Sequence, residues 1–132
     1  MNNQLFILLI SFLFLNCINN IEDQIPEITD EIISYASQIQ PVFNNSCGGA
    51  GCHTNGGTAN GVNLNNHQTT LNSVGASYGT LIVVPGDAEN SPLADKLRPN
   101  PDKGNQMPLN GSLSSSDIGN IIAWINQGAQ DN

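Results

Sequence analysis

Apolar residues are spaced for helices at both ends of this chain and lose any regular period between them. Ile32, Ala36, Ile39 and Phe43 recur at intervals of four, three and four, the single stripe of an amphipathic helix. Thr29 is the expected N-cap of that helix, with Asp30 and Glu31 beside its positive end. Pro41 falls inside the stripe, so it either kinks the helix or opens a fresh turn, and Asn44-Asn45-Ser46 ends the segment. At the other end, Ser114-Ser-Ser-Asp117 resembles a capping box with Asp in place of Glu. Ile118, Ile121, Ile122 and Ile125 are the expected buried face of this last helix, Trp124 flanks it, and Gly128 stops it.

Between the two ends the elements are short. Residues 54–65 are rich in Gly, Asn and Thr and read as a loop, and His67 to Val74 as a short helix. Leu81 to Val84 is an apolar run closed by the turn Pro85-Gly86. Ser91 to Leu97 reads as a helix with Ser91 as N-cap and Pro92 at its first position.

A different pattern precedes all of these. Leu5 to Leu15 is apolar except for Ser11, too short to anchor a chain across a bilayer and about right for the core of a signal peptide. It stops at Cys17, which is followed by polar Asn19, Asn20, Glu22 and Asp23. That arrangement reads as a lipoprotein signal spanning residues 1–16, cleavage before Cys17, acylation of its thiol and a tether over 17–28. The folded domain is then 29–132. Asn16 is unusual before such a cysteine, and Met1-Asn-Asn-Gln4 has no Lys or Arg, so an ordinary secretory peptide or a short uncleaved anchor is the alternative. Export to the periplasmic or cell-surface side is expected, with the lipid holding the protein to the inner or outer membrane.

Removing residues 1–16 leaves 116 of the 132, enough for one small domain. All eleven acidic and all three basic side chains remain, giving a net charge of −8. This balance argues against nucleic acid as a partner, because phosphates would repel it. The mature aromatics are only Tyr35, Phe43, Tyr78 and Trp124, which makes for a thin core.

The chemistry concentrates at Cys47-Gly-Gly-Ala-Gly-Cys52-His53. Two cysteines with a histidine directly after the second are what covalent haem attachment needs: each sulfur joins one haem vinyl group and the imidazole ligates the iron. The usual spacing between the cysteines is two residues, and here four intervene, three of them Gly. Glycine reaches φ values closed to other residues, so the longer loop can bulge while keeping both sulfurs near the porphyrin edge. A Cys47–Cys52 disulfide and a metal site short of ligands are the competing readings. Met107, the only methionine besides the initiator, follows Asn105-Gln106 and precedes Pro108 in a polar loop. A thioether presented there suits an iron ligand better than a filler of core gaps, and a haem would add the apolar mass that the core lacks.

These residues together resemble a family of small bacterial c-type cytochrome domains. The resemblance rests on Ile39-Gln-Pro-Val-Phe43, Cys47 to His53, Val84-Pro-Gly-Asp87 with Ser91-Pro-Leu93, Met107-Pro108 and Trp124-Ile125-Asn-Gln-Gly128-Ala129, in that order, over roughly residues 32–129. Members of the family often have four residues between the cysteines. The resemblance implies one covalent haem c held by Cys47 and Cys52, with His53 proximal and Met107 distal. It also implies an all-α, class I cytochrome c-like fold whose terminal helices cross beside the haem.

Two further groups bear on that site. His67 is a rival ligand, but its polar neighbours Asn63, Asn65 and Asn66 make an exposed surface histidine the expectation. Lys96, Arg98 and Lys103 lie within eight residues, and Arg98, alone or with either lysine, is the expected partner of the haem propionates. The function expected is electron transfer rather than enzymatic turnover, with a redox partner protein that the chain does not identify. A haem sensor or peroxidase-like protein with a displaceable Met107, and a cofactor-free lipoprotein stapled by a disulfide, are the alternatives.

Overall fold

The computed structural model describes residues 31–132, which form one compact unit. The expected leader 1–16, Cys17, the tether 17–28, and Thr29 with Asp30 lie outside the described residues. Among those described, no helix is long and apolar enough to cross a membrane.

The first helix begins later than its apolar stripe suggests. Residues 31–34 are not helical, and the chain enters a π-helical turn at Tyr35–Ile39 before continuing as α1, Gln40–Ser46. Ser34 caps this start, its hydroxyl accepting from the Ser37 N–H. Further orphan groups at the helix start are met by the other end of the chain. Tyr35 N–H donates to Asn132 Oδ1 (2.8 Å) and Ala36 N–H to the Asn132 carbonyl (3.0 Å). Gln127 ties the segment before it, accepting from Ile33 N–H and donating to the Glu31 carbonyl.

Pro41 explains the wide turn. It supplies no N–H, and its ring crowds the carbonyl one turn back, so the helix loosens to a bond from Gln40 N–H to the Tyr35 carbonyl. The extra residue per turn rotates the buried stripe. Ile32 is 72% exposed and Ala36 faces solvent, whereas Ile33, Tyr35, Ile39 and Phe43 are buried.

After α1 the chain runs through the Cys47–His53 loop and a short 3-10 turn at Ala59–Gly61. α2, His67–Asn72, starts in a reciprocal capping box between Asn66 and Thr69. It ends earlier than expected because Val74 is drawn into an antiparallel ladder, β1 (Val74–Gly75) on β2 (Thr80–Leu81). The turn between them is closed by Gly79 N–H on the Gly75 carbonyl (2.8 Å). The domain is therefore partly helical, with long loops and one two-residue ladder.

α3, Pro92–Leu97, and α4, Ser115–Asn126, lie where the sequence puts them. Ser91 does not cap α3 through its side chain; its hydroxyl instead bridges the Asp87 carbonyl and the Val84 N–H. Ser114 does cap α4, accepting from Asp117 N–H. Trp124 is not at the flank of the buried face but at its centre, 1% exposed, with Ile118 and Ile122 only partly covered. Its indole N–H reaches the Gln130 carbonyl, which lets so large a side chain be buried without an unpaired polar atom. Ile39 and Phe43 from the first helix meet Ile121, Trp124 and Ile125 from α4 in one core, to which α3 adds Leu93 and Leu97.

Candidate functional site

An apolar cleft opens beside this core, with about 670 Å³ of empty space within and before it. Val62, Leu64, Ile82, Leu93 and Leu97 supply its apolar walls, and Cys47, His53 and Met107 line it together. Three of the residues singled out in the sequence thus meet in one cavity.

Each is placed by local structure. Cys47 closes α1, its N–H donating to the Phe43 carbonyl (3.0 Å). The carbonyl of Cys47 in turn accepts from His53 N–H (3.1 Å), so the intervening residues are folded back as a closed loop. Gly49 and Gly51 sit at φ +129° and +76°, where a side chain would be strained, and this is what permits four residues between the cysteines. Gly57 packs so closely under the loop that a Cβ there would lie 2.5 Å from the Cys52 carbonyl oxygen.

His53 is fixed by its own main chain and by its ring. Its carbonyl accepts from Leu64 N–H (2.7 Å), and with the proton on Nδ1 the ring donates to the Val62 carbonyl at 3.4 Å. That tautomer leaves the Nε2 lone pair free for a metal. Met107 is carried by the loop after α3, with its N–H on the Lys96 carbonyl (2.8 Å) and the neighbouring Gln106 amide on the Leu97 carbonyl (3.0 Å). The peptide between Met107 and Pro108 is cis.

Cys47 and Cys52 differ in setting. Both are free thiols; Cys47 is partly buried, whereas Cys52 is exposed and is not part of the cleft wall. Burial, with a smaller contribution from neighbouring Cys52, pushes the Cys47 thiol up to about 11, so it is protonated at neutral pH. Buried thiols of this kind are poor nucleophiles toward water-borne electrophiles.

Arg98 and His67 stand elsewhere than at the cleft wall. Arg98 does not line the cleft: its guanidinium forms a two-point pair with Glu89 (2.6 and 3.2 Å) on the surface. The basic side chain in the wall is Lys96. Arg98 turned outward because Glu89, a residue whose proximity the sequence spacing does not reveal, offers a carboxylate with matching geometry. His67 is not an exposed surface histidine either. Its side chain is 16% exposed, packed edge-on against Tyr35 and Trp124, with Nε2 on the Ala129 carbonyl (2.7 Å) and Nδ1 3.8 Å from Asp131. It serves to hold the C-terminal segment and does not line the cleft with His53.

A further pair meets beside the cleft wall. Tyr78, in the β1–β2 turn, donates its hydroxyl to Asp95 Oδ2 on α3, and Asp102 N–H donates to the same oxygen (3.0 Å). The one legible sign was a lone Asp inside the apolar run of α3.

Comparison of the chain with family models, with curated proteins and with solved structures finds no match. The donor set itself carries the chemical reading. Among the described residues no group of three or more His, Cys, Asp or Glu is placed to hold a metal ion. A porphyrin brings its own four nitrogens to an iron and needs few donors from the protein. One imidazole, one thioether, a cysteine at the wall and an apolar cavity fit that group.

Proposed function

We propose that the protein is a monohaem c-type cytochrome that carries electrons outside the cytoplasm, tethered to a membrane through acylated Cys17. The observation that supports this most directly is the convergence of Cys47, His53 and Met107 on one apolar cleft. Cys47 and Cys52 would hold the haem by thioether bonds, each S–H adding across a vinyl double bond. His53 and Met107 would bind the iron. When bound, the haem supplies one-electron exchange between Fe(III) and Fe(II).

The chain's own residues set the terms of that exchange. The Val62 carbonyl fixes the His53 tautomer and raises the basicity of the ring nitrogen left free. The walls of Val62, Leu64, Ile82, Leu93 and Leu97 exclude water, and the Met107 thioether favours the reduced iron. With His53 and Met107 both offered to the iron, electron transfer would be favoured over turnover of a substrate at the metal.

Intact mass spectrometry of protein exported alongside haem-maturation machinery tests this reading. One covalently bound haem is expected, lost when Cys47 and Cys52 are both changed to Ala, together with the mass of a diacylglyceryl group at Cys17. An apo mass short by two hydrogens, the sign of a Cys47–Cys52 disulfide, would replace the cytochrome reading with that of a stapled surface lipoprotein.

A further inference from the structure

Lys96 is the one residue whose main chain and side chain both grip the loop that bears Met107. Its carbonyl accepts from Met107 N–H (2.8 Å), while its Nζ donates to the carbonyls of Lys103 (2.7 Å) and Asn105. The loop wraps closely around the ammonium: a Cβ on Gly104 would lie 3.4 Å from Nζ. The rest of this loop is irregular from Pro99 to Ser114, and Asp102 N–H on Asp95 Oδ2 (3.0 Å) ties it to α3 just before the stretch that Lys96 holds. Besides the Lys96 contacts, only Gln106 Nε2 on the Leu97 carbonyl joins residues 103–107 to α3.

We propose that Lys96 is a positioning residue, an ammonium clamp that fixes the 103–107 loop so that the Met107 thioether stays at the cleft. The inference rests on the cytochrome reading for its consequence at the iron, but not for the clamp itself. Hydrogen bonds from a charged donor are among the stronger ones, and an ammonium can turn its three N–H bonds toward carbonyls that a planar guanidinium would not satisfy together. The aliphatic stem of Lys96 meanwhile lines the cleft, so the same residue contributes apolar wall and polar clamp.

The test compares Lys96→Leu, which keeps an apolar wall and loses the donors, with Lys96→Gln, which keeps a shorter donor. In protein without haem, exchange of the Met107 amide, which is bonded to the Lys96 carbonyl, should quicken by roughly tenfold or more in Lys96→Leu and less in Lys96→Gln. In haem-loaded protein, Lys96→Leu should weaken the thioether-to-iron charge-transfer band and admit carbon monoxide, the effects also expected of removing the thioether in Met107→Ala. Lys96→Gln should fall between, and exchange in α4 should stay at the wild-type rate in both variants. Unchanged exchange at Met107 together with an unchanged band would overturn the clamp. Wild-type protein that carries no haem would instead sink the cytochrome reading, and the exchange rates would still decide whether Lys96 holds the loop.

Discussion

Tyr78 and Asp95 show what a residue pair invisible to spacing does to the stability of the cleft wall. Asp95 is 8% exposed and has no basic partner; its Oδ2 is satisfied by the Tyr78 hydroxyl and the Asp102 N–H. Burial first, then the hydrogen bond and charge of Asp95, push the Tyr78 hydroxyl from 10.0 up to about 12. The folded protein thus keeps a proton that the unfolded chain releases. Its contribution to stability is whole below pH 10, and is lost as pH rises from there to about 12. Cys47 acts with the same sign in an overlapping range, so the wild-type profile alone does not isolate Tyr78. Tyr78→Phe should remove its share of the slope and, by leaving Asp95 one donor short, cost about 1–3 kcal/mol near neutral pH. Urea midpoints measured from pH 8 to pH 12 for the two proteins check both points. Parallel profiles would mean that the phenol is not held by Asp95.

At the scale of elements, what the sequence revealed depended on whether local signals governed the outcome. α3 and α4 carry their own starts, Pro92 at a first turn and Ser114 three residues before Asp117, and both fold where those signals lie. The first helix does not. Its start is completed by Asn132 and its register by the turn before Pro41, so the true buried positions are Tyr35, Ile39 and Phe43. No stripe of apolar residues shows that the far end of the chain will supply a cap. His67 was misread for the same reason, since its partners Ala129 and Asp131 belong to that end. The cysteine loop was legible because glycine announces it, and two glycines give opposite predictions. A Cβ at Gly57 would strike the Cys52 main chain, with the carbonyl carbon at 2.9 Å and oxygen at 2.5 Å. Gly57→Ala should therefore destabilise by about 1–3 kcal/mol and lower the yield of haem attachment. Gly119, inside α4 with nothing within 4 Å, should behave in the other direction. Gly119→Ala is expected to stabilise by about 0.5–1 kcal/mol through helix propensity alone. Denaturant midpoints of the pair decide the matter; a stabilising Gly57→Ala would mean that the loop is not packed against that glycine.

For the molecule as a whole, the distribution of charge and of apolar volume points to a cavity built to be filled. Between Glu31 and Asp87 there is no Asp, Glu, Lys or Arg, and this stretch supplies ten of the fifteen residues lining the cleft. That uncharged part of the wall is inexpensive to remove from water, and five aliphatic side chains face the space. An empty cavity of that kind forgoes both burial and dispersion contacts, and a domain this small has little stability in reserve. The same chain made with and without haem-maturation machinery should then differ widely in thermal stability, with reductant present so that no disulfide staples the apo form. In a domain of this size, each kcal/mol is worth about 4–8 °C. Covering the remaining apolar surface of the cleft with a porphyrin should accordingly raise the melting temperature by roughly 10 °C or more. The cooperativity of unfolding should rise with it, because Leu64, Ile82, Leu93 and Leu97 join the core cluster to the cleft wall. Equal melting temperatures for the two forms, measured by circular dichroism, would show that these side chains gain nothing from the haem. The cleft would then have to be explained by some other occupant.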